Sequence, residues 1–113
     1  MVTIWHNNRC GKSREALRIL EEKGIKPQVV RYLDTPPSEG EIRGVLKKAG
    51  IGAHDLIRTG EEIYKTLYKG KNLTEAEWIK AMTEHPILIE RPVVIHGNKA
   101  VIARPPEKVS EIL

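Results

Sequence analysis

The chain has a single cysteine among its 113 residues. One thiol cannot close an internal disulfide, which fits the reducing cytoplasm better than a secreted scaffold. Nor is there a two-cysteine redox pair: where C-x-x-C would place the second thiol after Cys10, the residue is Ser13. Aromatic residues are scarce, with two tryptophans, three tyrosines and no phenylalanine, so there is no row of stacking platforms for single-stranded nucleic acid. The basic residues are scattered, and a net charge of +4 from 19 Lys/Arg against 15 Asp/Glu favours an anionic partner without marking out a nucleic-acid tract. No apolar run approaches the ~20 residues of a membrane span. The N-terminus lacks the basic-then-apolar pattern of a secretion signal. With one cysteine and no His/Asp cluster, no metal site is expected. Repeats, low-complexity segments and linkers are absent too, so residues 1–113 are expected to form one domain.

What is present alternates between the two secondary-structure periods. Val2 to His6 is short, apolar and partly β-branched, as a buried strand requires. Asn7 and Asn8 are turn formers. From Gly11 the spacing becomes helical, with Ala16, Leu17, Ile19 and Leu20 on one stripe and Gly24 as the stop. Val29, Val30, Tyr32 and Leu33 read as a second strand, parallel to the first through a right-handed crossover. Pro36-Pro37 breaks the chain. Ser38 with Glu41 forms a capping box ahead of an Ile42, Val45, Leu46, Ala49 stripe that ends at Gly50. Gly52 to Gly60 reads as a short helix or turn, and Glu61 to Leu67 as another helical piece. Thr74 with Glu77 is a second capping box, Leu73 and Trp78 are placed for a hydrophobic staple, and His85-Pro86 ends that helix. Val93 to Ile95, Gly97-Asn98 and Ala100 to Ile102 make a hairpin, and Pro105-Pro106 opens a closing helix. Trp5 and Trp78 are assigned to the core, and His54, His85 and His96 to surface, helix-end and strand-end positions. The order β-α-β, helical insertion, β-β, α predicts an α/β domain with a four-stranded mixed sheet. It is the order of the thioredoxin-like fold.

The stretch IWHNNRCGKS, Ile4 to Ser13, carries the chemistry. Gly11-Lys12-Ser13 between a strand and a helix looks like the end of a phosphate-binding P-loop, but that motif needs a glycine where His6 stands. A phosphatase loop would need an arginine six positions after the cysteine, and Ala16 is there. A free cysteine is often just a small buried residue. Cys10, however, lies among Asn7, Asn8, Arg9, Lys12 and Arg14, at a helix start where free N–H groups and the helix dipole favour a thiolate. His6 is close enough in sequence to add charge or a hydrogen bond, and Lys12 and Ser13 are secondary donors for an anion.

Four motifs in register, H-N-x-x-C at His6–Cys10, L-I-R at Leu56–Arg58, H-P-I-L-I-E-R-P at His85–Pro92 and A-R-P-P-E at Ala103–Glu107, resemble those of the glutaredoxin-linked arsenate reductase (ArsC) family, closest to its short YfgD-like branch. The resemblance covers nearly the whole chain. It implies the thioredoxin-like fold with a helical insertion between the second and third strands. It further implies a catalytic cysteine at Cys10, a histidine at His6 that lowers its pKa, oxyanion-binding arginines at Arg58, Arg91 and Arg104, and a cis bond before Pro92. The implied activity is reduction of arsenate to arsenite, with glutathione and glutaredoxin as external reductants and no tightly bound cofactor. Arsenate is a compact oxyanion, and guanidinium forks match it in charge and geometry. Two other readings stay open from the sequence. One is a glutaredoxin-like thiol oxidoreductase acting on another oxyanion or a glutathionylated partner. The other is an Spx-like regulator that shares the fold and binds RNA polymerase without catalysis; Ser13 and the arginine set speak against it.

Overall fold

A computed structural model describes residues 1–113. Strands β1 (Val2–Trp5), β2 (Gln28–Val30), β3 (Val93–His96) and β4 (Lys99–Ile102) form one sheet in the order β2-β1-β3-β4. The β1–β2 pair is parallel, and β1–β3 and β3–β4 are antiparallel. Helix α1 (Gly11–Glu22) is the β1-to-β2 crossover, and helices α2 (Glu39–Ala49), α3 (Glu62–Leu67) and α4 (Glu75–Glu84) fill the insertion between β2 and β3. This is the thioredoxin-like arrangement expected from the sequence. No helix is long and apolar enough to cross a membrane.

The sheet register explains the two-sided core. Ile4, Val94 and Val101 lie opposite one another across three strands, as do Trp5, Val93 and Ile102. Side chains alternate faces along a strand, so the two rows point to opposite sides of the sheet. The first row packs with Ala16 and Leu20 of α1 and with Val109 and Ile112 near the C-terminus. The second packs with Ile42, Val45 and Leu46 of α2 and Trp78, Ile79 and Met82 of α4. Burying each large aliphatic side chain in these clusters contributes about 1.5–3 kcal/mol.

Both capping boxes form with reciprocal hydrogen bonds, Ser38–Glu41 at α2 and Thr74–Glu77 at α4. Trp78 is buried and Leu73 packs on the same cluster, where a hydrophobic staple puts them. Gly50 closes α2 at φ +68°, a left-handed position that suits glycine. Gly97 takes φ +62° in the tight turn between the paired His96 and Lys99.

Two elements differ from the sequence reading. The second strand runs Gln28–Val30 and not through Leu33. It is an edge strand paired only with β1, whose pairing ends at Trp5 opposite Val30. With no partner left, the chain turns: the Arg31 carbonyl accepts from Asp34 and Thr35 N–H at 2.9 Å each, burying Tyr32 and leaving Leu33 exposed. The closing helix is a 3-10 turn, Pro106–Glu111, whose carbonyls bond three residues ahead. Near the site, the segments around Ile57 and Ile89 form an isolated antiparallel bridge, with Arg58 N–H donating to Leu88 O and Glu90 N–H to Leu56 O, both at 2.7 Å. That bridge brings the L-I-R and E-R-P motifs side by side.

Candidate active site

Cys10 is the N-cap of α1, with extended backbone (φ −93°, ψ 121°). The turn before it is built on Asn7, which is buried. The Asn7 carbonyl accepts from Cys10 N–H and its side-chain oxygen from Arg9 N–H, both at 3.0 Å, in the self-bonding pattern that makes asparagine a turn former. Upstream, His6 N–H donates to Val30 O at 2.8 Å, tying the turn to the end of β2.

Ser13 locks this loop from within the first turn of α1. Its fully buried hydroxyl accepts from Asn7 N–H at 3.0 Å and shares a 2.7 Å hydrogen bond with His6 Nδ1. His6 is therefore held by Ser13, not by the thiol. Burial, followed by the positive charge of Arg31, pushes the His6 pKa below its ordinary value, so the ring is neutral at neutral pH. Charge and a hydrogen bond to the thiol are the two contributions open to His6 from the sequence; its side-chain hydrogen bond goes to Ser13 instead.

Partial burial pushes the Cys10 thiol up, and four effects outweigh it: the Ser13 N–H, a hydrogen bond from the Arg91 side chain, the Lys12 N–H and the charge of Arg91. The net pKa lies below that of an ordinary thiol. The side chain makes no cap hydrogen bond; the Lys12 and Ser13 N–H groups at the start of the helix favour its charged form, as expected at a helix N-terminus.

The three arginines form a chain of contacts. Arg104 Nη1 donates to the Arg91 carbonyl at 3.1 Å. Arg91 Nη1 lies 3.4 Å from Glu61 Oε1, and Arg58 Nε lies 3.8 Å from both Glu61 and Glu90. Arg91 and Arg104 each precede a cis peptide bond, Arg91-Pro92 and Arg104-Pro105; the resemblance implied only the first. Arg91 also lines a polar cleft of about 520 Å³ with His6, Asn7, Arg9, Arg31 and Asp34, while Arg58 and Arg104 line a smaller one of about 190 Å³. Arg91 is thus the arginine that favours the Cys10 thiolate, and Arg58 and Arg104 join through it and the glutamates. The buried side-chain atoms without a hydrogen-bond partner are Arg58 Nε, Arg91 Nε and the Tyr32 hydroxyl. Two are guanidinium donors, and Arg58 Nε faces the carboxylates of Glu61 and Glu90 at 3.8 Å without a hydrogen bond.

Tyr32, Ser13 and Glu61 were not singled out as principal site residues from the sequence. Ser13 carried a signal, its position three after the cysteine. Tyr32 read as a strand residue and Glu61 as a helix-start charge. No group of three or more His, Cys, Asp or Glu side chains is arranged to hold a metal ion.

Residues 5–112 match the model of the ArsC family. The chain is 49% identical to an arsenate reductase of Haemophilus influenzae, covering 99% of this chain and 98% of the relative. It is 46% identical to YfgD of Escherichia coli K12, covering 99% and 96%. Among solved structures, an arsenate reductase from Vibrio cholerae superposes with a TM-score of 0.96 at 46% identity, covering 99% of this chain and 97% of that one. With a family match across nearly its full length and relatives of near-equal length at almost half identity, this chain belongs to the ArsC family.

Proposed function

We propose that the protein is an arsenate reductase in which Cys10 is the nucleophile, Arg58, Arg91 and Arg104 hold the oxyanion, and glutathione and glutaredoxin supply the electrons. The observation that carries this reading is the pairing of Cys10, at the N-terminus of α1, with the Arg91 guanidinium, which together favour a thiolate beside an anion donor. The names of the relatives supply the substrate.

The Cys10 thiolate attacks arsenic; a sulfur–arsenic bond forms and one arsenate oxygen leaves as water. A glutathione thiolate then attacks Sγ. The sulfur–arsenic bond breaks with its electron pair on arsenic, arsenic(V) becomes arsenic(III), and a Cys10–glutathione disulfide remains. Glutaredoxin reduces that disulfide and restores the thiolate. External thiols are required because the chain has no second cysteine. Thiols are kept reduced in the cytoplasm, where we place the reaction. The arginines offset the repulsion between thiolate and oxyanion and fix the direction of attack. His6 acts as a positioning residue, through Ser13.

The test is a coupled assay with arsenate, glutathione and glutaredoxin. Intact protein should release arsenite, Cys10→Ser should release none, and Arg91→Ala should lose about 10- to 150-fold in kcat/KM, the value of one charge-assisted hydrogen bond. No arsenite from the intact protein would overturn the reading. Activity on a glutathionylated protein, or capture of RNA polymerase, would then select between the two alternatives.

A further inference from the structure

Glu61 stands at the N-cap of α3, a position where a side-chain oxygen commonly accepts a hydrogen bond from the helix. It makes no cap bond. Its carboxylate turns instead toward the arginines, 3.4 Å from Arg91 Nη1 and 3.8 Å from Arg58 Nε. The three side chains are largely withdrawn from water, at 12% exposure for Arg91, 25% for Arg58 and 23% for Glu61, so their attraction is screened less than that of a surface pair. Glu90 reaches only Arg58 among the arginines, at 3.8 Å. Glu61 is the carboxylate that spans the two guanidinium groups.

We propose that Glu61 tunes the oxyanion affinity of the site: it is an internal counter-anion on Arg58 and Arg91 that a free oxyanion must displace to bind. This rests on the arsenate reading for its substrate. A competing carboxylate weakens the binding of phosphate and arsenate alike, because the two match in shape and charge. It sets how much oxyanion the site holds at rest and leaves the choice between the two to bond formation at the Cys10 sulfur. The same carboxylate draws on the guanidinium that favours the Cys10 thiolate, so it also limits how far Arg91 stabilises the thiolate.

The experiment compares wild type with Glu61→Gln, which keeps the size of the side chain and removes its charge. Calorimetry with inorganic phosphate and with arsenate should give binding about tenfold tighter or more in the variant, as expected on removing one competing charge from a partly desolvated pair. Iodoacetamide alkylation of Cys10 against pH should give a lower thiol pKa in Glu61→Gln, an effect that loss of a purely structural contact would not produce. If wild type binds the anions and Glu61→Gln binds them no tighter, the role of Glu61 is refuted and the arsenate reading stands. If neither form binds either anion, the arsenate reading falls. The alkylation profile then decides the Glu61–Arg91 coupling, with a lower pKa sustaining it and an unchanged one refuting it.

Discussion

Replacing Ser13 by alanine removes one oxygen and nothing else, and from that atom the cost can be worked out. The hydroxyl is wholly buried, and its partners, the Asn7 N–H and His6 Nδ1, belong to residues only 8% exposed. Alanine leaves both groups in the interior without a partner. An unsatisfied buried polar group costs about 1–3 kcal/mol, so the pair should cost about 2–6 kcal/mol. A domain of this length has roughly 6–17 kcal/mol to lose. Equilibrium urea unfolding should therefore show a clear fall in midpoint with an unchanged m-value. The thiol chemistry should respond differently. The residue-13 N–H that faces the Cys10 sulfur belongs to the backbone and survives the substitution. Alkylation against pH should thus move less in Ser13→Ala than in Arg91→Ala, which removes both a hydrogen bond and a charge. A stability loss below about 0.5 kcal/mol would refute the claim that this hydroxyl locks the loop, since it would leave the two buried groups costing almost nothing.

Tyr32→Phe removes a buried hydroxyl whose polar neighbour, Asn7, lies outside normal hydrogen-bond geometry and should change stability by less than about 1 kcal/mol; a larger loss in urea unfolding would mean the hydroxyl is satisfied. Acid should weaken the protein through His6. Its folded pKa is lowered, first by burial and then by Arg31, so as pH falls through 6.5 the unfolded ring takes up a proton that the folded ring refuses. Stability is then lost by about 1.4 kcal/mol for each unit of lowering, until the folded ring titrates as well. NMR titration of the His6 ring at or above 6.5 would contradict this. Ser38→Ala should cost about 1 kcal/mol by removing the hydroxyl that accepts from the Glu41 N–H at 3.1 Å, and a change within error would show that α2 does not depend on its cap.

The parts of the fold legible in the sequence are those decided by neighbours along the chain. A capping box needs residues three apart, so Ser38–Glu41 and Thr74–Glu77 declare themselves, and Gly97-Asn98 between two β-branched runs declares a hairpin. The end of β2 is different. Val29 to Leu33 has strand composition throughout, but a strand lasts only while a partner is beside it, and the extent of β1 is not written in those residues. Tyr32 belongs to the core for the same reason, because the chain turns where pairing stops. In the site, Cys10 was legible from its helix start, whereas its coupling to Arg91 depends on β3 lying against β1. Glu61 was the least legible. A glutamate ahead of a short helix reads as a cap, and only the bridge between Ile57 and Ile89 turns it toward two arginines.

Two kinds of donor serve the thiolate, and they differ in what can change them. The Ser13 and Lys12 N–H groups are fixed by the start of α1, and Ser13 is fixed again through Asn7 and His6. Their contribution is constant as long as the helix is formed. Arg91 is shared between Cys10 and Glu61, so its contribution shifts with whatever negative charge lies beside it. An incoming oxyanion brings such a charge, which taken alone would raise the thiol pKa and weaken the nucleophile at the moment of attack. If the anion enters by displacing Glu61, one negative charge replaces another beside Arg91, and the thiolate is spared most of that penalty. A glutamate that looks like a competitor for substrate therefore also buffers the charge that Cys10 experiences.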